Sequence, residues 1–149
     1  MTNSHAKIWI HAVWTTKNRK PLIHPRMERR LYEFIGVELK RLGCTLSIVN
    51  GVPDHVHCLF CMPPDLSVTN IIKHIKGSSS HFINHNDLIS DKFVWQNGYG
   101  AFTVSQSGVD AVHKYIYFQK KHHEKRSFGA EFEELLALHG MEDRGSITS

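Results

Sequence analysis

The chain has 149 residues, with 18 Lys and Arg against 14 Asp and Glu, 12 histidines and a net charge of +4. That length suits one domain with a proper core, and 41% hydrophobic with 21% charged residues is the balance of a soluble globular protein, not of a fibrous or disordered one. No apolar run approaches the ~20 residues of a membrane span, the N-terminus lacks a signal-peptide pattern, and the odd count of three cysteines argues against a disulfide framework. A cytoplasmic protein with a mild lean towards polyanions is expected.

Residues 7–16 are rich in β-branched and aromatic side chains on both faces, which predicts a central strand buried on both sides. Lys17-Asn18-Arg19-Lys20 leaves it as a basic loop, in which Lys17 and Arg19 are candidates for phosphate contact. Pro25 opens a helix at a position that tolerates proline; Met27, Leu31, Phe34, Ile35 and Leu42 give it an apolar stripe, and Gly43 ends it. Residues 45–49 read as a strand, Asn50-Gly51 as a hairpin turn, and residues 55–60 as an antiparallel partner stopped by Pro63-Pro64. Ser67 caps a second helix with Val68, Ile71, Ile72 and Ile75 inward, interrupted by the small residues 77–80. Lys73, Lys76 and Ser78 on that helix offer charge and a hydroxyl to a sugar-phosphate backbone, or form an ordinary solvated face.

Residues 93–96 and 101–104 read as one strand interrupted at Asn97-Gly98-Tyr99-Gly100, with Tyr99 placed to stack on an unpaired base. Residues 108–126 then form a third helix, with Val109, Val112 and Ile116 buried and Tyr115 and Gln119 sharing one flank. Phe118 faces outward, which suggests a partner surface, and Lys120 and Lys121 begin a basic end. Phe132, Leu135, Leu136 and His139 predict a short last helix with an acidic outer face. The order β-α-β-β-α-β-α is the split βαβ, ferredoxin-like α+β plan: an antiparallel sheet with helices on one face and an added C-terminal helix. One domain over 1–149 follows, with flexible ends at about 1–5 and 143–149.

The chemistry concentrates at Pro53-Asp54-His55-Val56-His57. Side chains two apart on a strand share a face, so His55 and His57 project together while Val56, Cys58 and Phe60 face the core. Two imidazoles on a rigid strand make a two-point grip on a divalent metal. Cys58 and Cys61 have zinc-like spacing but no second pair, and are read as structural. His81 and His85, four apart, are likewise read as structural.

His-hydrophobe-His on a strand, followed by a helix bearing Tyr115-x-x-x-Gln119, resembles the single-tyrosine HUH transposases of bacterial insertion sequences, including the REP-associated tyrosine transposases. Trp14-Thr15-Thr16-Lys17-Asn18-Arg19, Lys76-Gly77-Ser78-Ser79 and Trp95-Gln96-Asn97-Gly98-Tyr99 match in the family's order, across about residues 6 to 125. The resemblance implies that Tyr115 is the nucleophile, and that His55, His57 and Gln119 hold one Mg2+ or Mn2+ ion. Asp54 orients His55 or is an exposed turn residue; Tyr117 is the second candidate nucleophile. It also implies single-stranded DNA with hairpin-containing ends as substrate, cleaved through a 5′-phosphotyrosine. A homodimer whose active sites combine the histidines of one chain with the tyrosine helix of another is a further implication. The alternatives are a domesticated relative that nicks chromosomal repeats, and a non-catalytic ferredoxin-like nucleic-acid-binding module.

Overall fold

The computed structural model describes residues 5–124 and 126–139. The ends expected to be flexible, 1–5 and 143–149, lie outside the described residues apart from His5. Four strands, β1 (Ile8–Thr15), β2 (Thr45–Val52), β3 (His55–Met62) and β4 (Gly100–Val104), form one antiparallel sheet in the order β2-β3-β1-β4. Helices α1 (Pro25–Arg41) and α2 (Val68–His85) make the two crossovers, so the ferredoxin-like plan stands. Among the described residues no helix is long and apolar enough to cross a membrane.

The alternation in β1 and β3 builds two cores. Ile10, Ala12, Trp14, Val56, Cys58 and Phe60 face α1 and α2, meeting Met27, Leu31, Ile35 and Leu39 from one helix and Ile71, Ile72, Ile75 and Ile83 from the other. Helix α1 stops as expected, with Gly43 in the left-handed region at φ 85°. Ser67 caps α2 by accepting from the Asn70 amide at 3.1 Å. The small residues 77–80 do not break α2: Ser78 and Ser80 return their hydroxyls to carbonyls of the preceding turn, and Ser79 receives the Trp95 indole N–H at 2.9 Å.

The opposite face of the sheet is also covered. Three C-terminal helices lie there, α3 (Val109–Tyr117), α4 (Gln119–His122) and α5 (Phe128–Leu138): Val13, Phe102 and Leu59 pack under α3 and α5, and α4 lies against β2. The helix expected over 108–126 is therefore divided at Phe118. The cause is Asn50 on β2, whose side-chain amide donates to the carbonyls of Ile116 at 2.9 Å and Tyr117 at 3.1 Å. Those carbonyls would serve Lys120 and Lys121 in an unbroken helix; the Lys121 amide turns instead to Phe118 at 3.1 Å.

Two further expectations change. The hairpin turn is at Pro53-Asp54, not Asn50-Gly51. Gly51 lies within β2, where a Cβ would sit 2.3 Å from the His55 carbonyl oxygen, so glycine there permits a close approach of chains. Residues 93–96 are not a strand but make a single bridge, Thr16 to Trp95. Trp95 is buried against Trp14 and Phe93 and belongs to the core.

Candidate active site

His55 and His57 point from β3 to the face covered by α3, α4 and α5, and both are fully buried. Their cross-strand partners on β1 are Thr15 and Val13, so the sheet register fixes their spacing. The turn before them is pinned: the carbonyl of Asp54 accepts from the Thr16 amide, and that of Pro53 from the Ile23 amide, each at 2.9 Å. The Asp54 carboxylate accepts from His55 Nδ1 at 2.8 Å, which turns Nε2 towards the site. His57 Nδ1 lies 2.8 Å from Nε2 of a buried histidine on β1, His11.

The remaining donors converge on one carboxylate from α5. Glu131 Oε2 accepts from the Tyr115 hydroxyl at 2.5 Å and from Gln119 Nε2 at 2.9 Å. Glu131 Oε1 lies 3.1 Å from His57 Nε2, 3.3 Å from His55 Nε2 and 3.1 Å from His123 Nε2. The structure thus gathers His55, His57, Tyr115 and Gln119 of one chain around a buried point, and adds Glu131, His123 and His11.

Burial pushes the carboxyl of Glu131 up, but its histidine contacts outweigh that and hold it far below the usual carboxylate range. Tyr115 is pushed up, first by burial and then by the Glu131 carboxylate that accepts its hydrogen bond, so the phenol keeps its proton. Burial lowers His57 to about 4, against the opposing pull of Glu131. For His55 the burial effect is outweighed by Asp54 and Glu131, and its pKa rises.

A pH dependence follows. Unfolded His57 takes up a proton near its ordinary 6.5 and folded His57 only near about 4, so metal-free protein loses stability as pH falls through that window. Taken alone, the displacement is worth about 3 kcal/mol. His55 acts oppositely, its contribution being lost as pH rises through its raised pKa. Thermal melts of metal-free protein should fall between pH 6.5 and 4, and the slope should flatten in His57→Gln. Equal slopes for the two proteins would remove His57 as the cause.

Two buried atoms without a hydrogen-bond partner bear on metal binding: His55 Nε2 and the Gln119 side-chain oxygen. The Gln119 oxygen carries a lone pair, His55 Nε2 offers one when its ring gives up the proton, and His55, His57 and Glu131 offer donor atoms within 4.8 Å of one another. The residues fit a divalent ion.

The model of the IS200-like transposase family matches residues 4–119. The chain belongs to that family. The ISDra2 transposase TnpA of Deinococcus radiodurans is 25% identical over 111 residues, 71% of this chain and 79% of that protein. A crystal structure of a candidate transposase from Deinococcus radiodurans R1 superposes with a TM-score of 0.63 at 22% identity, covering 80% of this chain and 98% of the other. A REP-associated tyrosine transposase bound to a REP hairpin gives a TM-score of 0.59 at 17% identity, over 83% and 74% of the two chains. These two structures speak for a shared fold. As a member of the IS200-like family, the chain is a transposase.

The other residues singled out in the sequence divide into two groups. Lys17, Arg19, Lys73 and Lys121 are exposed, and Tyr99 is exposed with its hydroxyl 2.7 Å from Thr69 Oγ1. Lys76, by contrast, donates its ammonium to the carbonyls of Gln96 at 2.6 Å and Gly98 at 2.8 Å, bracing the loop that carries Tyr99. Ser78 spends its hydroxyl on the His74 carbonyl. Lys120 is held by Asn50 Oδ1 at 3.0 Å, the Gly51 carbonyl at 3.2 Å and Glu28 at 3.3 Å. Tyr117 and Phe118 are exposed, and His81 and His85 stack on each other.

Of the residues that sequence reasoning missed, His123 carries a signal, lying four beyond Gln119 and eight beyond Tyr115. His11 shows as a polar residue inside an apolar run. Glu131 shows nothing, since it sits in an acidic run that reads as a solvated face.

Proposed function

We propose that this transposase cleaves and rejoins single-stranded DNA through Tyr115, with a divalent ion held by His55, His57 and Gln119. The observation that carries the reading is the single buried carboxylate at which the Tyr115 hydroxyl and the His57 imidazole meet from opposite oxygens. Tyr115 and His57 thereby lie on the two sides of one carboxylate, in a chain of transposase family, which supports a nucleophile beside a two-histidine grip.

Held by His55, His57 and Gln119, a divalent ion would supply positive charge against a scissile phosphate. Neutral imidazole donors suit Mn2+ at least as well as Mg2+. Asp54 and His11 fix the ring orientations of His55 and His57. Tyr115 must leave Glu131 and surrender its proton to solvent water before it attacks, and water returns a proton to the departing oxygen. The Tyr115 oxygen then bonds to phosphorus, the bond from phosphorus to the departing oxygen breaks, and that oxygen leaves with a proton as a hydroxyl. By family resemblance the tyrosine keeps the 5′ side and the freed group is a 3′-hydroxyl. A 3′-hydroxyl attacking the phosphotyrosine reverses the steps and joins strands without a nucleotide cofactor. Exposed Lys17, Arg19, Lys73 and Lys121 supply charge for the phosphate backbone, and Tyr99 a stacking face, on a loop that Lys76 holds.

Incubating labelled hairpin-bearing single-stranded DNA from the flanking locus with protein and Mn2+ tests this: a covalent protein–DNA band is expected, and its absence counts against the reading. Whether sites are shared between subunits has its own test. The donors of one chain already surround one point, so we expect a site built in cis, in place of the shared arrangement that the resemblance implies. In a verified mixed species of His57→Ala and Tyr115→Phe chains, both sites stay defective and activity stays at background. Recovery of activity would establish the shared arrangement.

A further inference from the structure

The structure assigns a positioning role to Asn50: it breaks the tyrosine helix and thereby sets where Tyr115 and Gln119 meet the histidines of β3. The inference rests on the reading that Tyr115 attacks and Gln119 holds the ion, and names the residue that aims them.

Asn50 stands opposite His57 in the β2–β3 pairing, so one rung of the sheet carries both side chains on one face. Its side chain reaches the tyrosine helix at three points. The amide nitrogen donates to the carbonyls of Ile116 at 2.9 Å and Tyr117 at 3.1 Å, and the amide oxygen accepts from Lys120 Nζ at 3.0 Å. Two of these contacts fall between Tyr115 and Gln119, and the third falls one residue beyond. In an unbroken helix Gln119 would be held about 40° around and about 6 Å along the axis from Tyr115. Phe118 instead has φ −95° and ψ 20°, against about −63° and −42° in a helix. Tyr115 therefore belongs to one segment and Gln119 opens the next, so the two side chains are aimed separately. Both meet the same oxygen, Glu131 Oε2, at 2.5 and 2.9 Å, and Gln119 is fully buried.

The chemistry of the contact calls for this residue. Two successive carbonyls face one end of the side chain and an ammonium faces the other, which needs two N–H donors on one nitrogen with an acceptor beside it. Among side chains of this length the asparagine amide supplies that set. Aspartate, of the same size, offers Lys120 an acceptor and the two carbonyls no donor. A second tether from β2 differs in kind. The register between β2 and β3 shifts between Leu46 and Ile48, and Ser47 Oγ at that shift lies 2.8 Å from His113 Nδ1, a turn before the break. Ser47 holds the helix to the sheet; Asn50 both holds it and ends it.

The test uses full-length protein carrying Asn50→Asp or Asn50→Ala, with Ser47→Ala as the tether control. Thermal melts verify folding, and Asn50→Ala stands in should Asn50→Asp melt early. Mn2+ affinity is read without DNA from the paramagnetic resonance of the free ion, and cleavage of hairpin-bearing single-stranded DNA gives kcat and KM. In the Asn50 variants Mn2+ affinity and kcat should each fall at least about tenfold, with KM within about twofold of the parent. Amide exchange at Lys120 and Lys121 should slow as the two segments join into one helix. Ser47→Ala should lower the melt and keep Mn2+ affinity and kcat. Parental Mn2+ affinity and kcat in a folded Asn50 variant would overturn the assignment. An equal loss in Ser47→Ala would overturn it too, by making Asn50 an ordinary tether. If Gln119→Ala loses Mn2+ affinity and the Asn50 variants do not, Asn50 fails while the donor set stands. If Gln119→Ala binds Mn2+ and cleaves as the parent does, the donor set fails and the inference with it.

Discussion

Tyr115→Phe is expected to abolish the covalent protein–DNA product, a fall of at least about a thousandfold in cleavage, with hairpin binding within about twofold of the parent. The substitution removes one oxygen and leaves the ring, which packs edge-on to His57 at 5.9 Å and stacked on His122 at 4.9 Å. Its structural cost is the hydrogen bond to the Glu131 carboxylate, about 1–2 kcal/mol, because Glu131 Oε2 keeps Gln119 Nε2 as a partner. A modest drop in melting temperature beside a complete loss of adduct therefore marks a nucleophile and not a damaged fold. Tyr117→Phe should retain the adduct, since Tyr117 is 63% exposed and lies on the far side of the helix from the carboxylate that gathers the other donors. The reverse pattern would move the nucleophile two residues along and separate it from Gln119. Gel separation of labelled DNA under denaturing conditions reads both variants.

His57→Ala should be as damaging to cleavage, and more damaging to the fold. It removes one of the proposed metal ligands, so Mn2+-dependent cleavage should fall by at least about three orders of magnitude. It also opens a cavity in the centre of the sheet and strands two groups, His11 Nε2 and one oxygen of Glu131. A stability loss of about 1–3 kcal/mol is expected for such stranded polar groups. His57→Gln fills more of the space and separates the two effects: its melt should lie nearer the parent, with cleavage still lost. DNA binding should fall only modestly in either variant, because exposed lysines and Arg19 are untouched. Cleavage at the parental rate by a folded His57 variant in Mn2+ would remove the metal assignment.

What could be read from residues alone follows from the range of the forces involved. The period-two pattern of β3 was legible because the core side, Val56, Cys58 and Phe60, and the site side, His55 and His57, alternate without exception. The caps at Ser67 and Gly43 were legible because each acts within a few residues. Asn50 misled for the same reason: Asn-Gly is a strong local turn signal, but Asn50 spends its amide on carbonyls 66 and 67 residues away. The division of the tyrosine helix was hidden with it, since nothing between residues 108 and 126 breaks the helical pattern. Lys76 and Lys120 read as free surface cations because the carbonyls that hold them are distant in sequence. Glu131 was invisible because it becomes a buried hub only when β3 and the end of α4 bring their imidazoles to it.

The two halves of the site differ in how they are held, with a consequence for amide exchange. Strand β3 is bonded along its length to β1 on one side and β2 on the other, and all of its residues but Cys61 are buried. Its amides should exchange with solvent only through global unfolding. Helix α5 rests on the sheet chiefly through Leu135 and Leu136, with Phe128 and Phe132 half-buried beside them. Its amides should exchange through a smaller, local opening that costs less than unfolding the domain. His55 and His57 therefore keep fixed positions through every such opening, while Glu131 departs and returns with its helix. The slower clock belongs to the histidines, and the faster one to the carboxylate that closes over them.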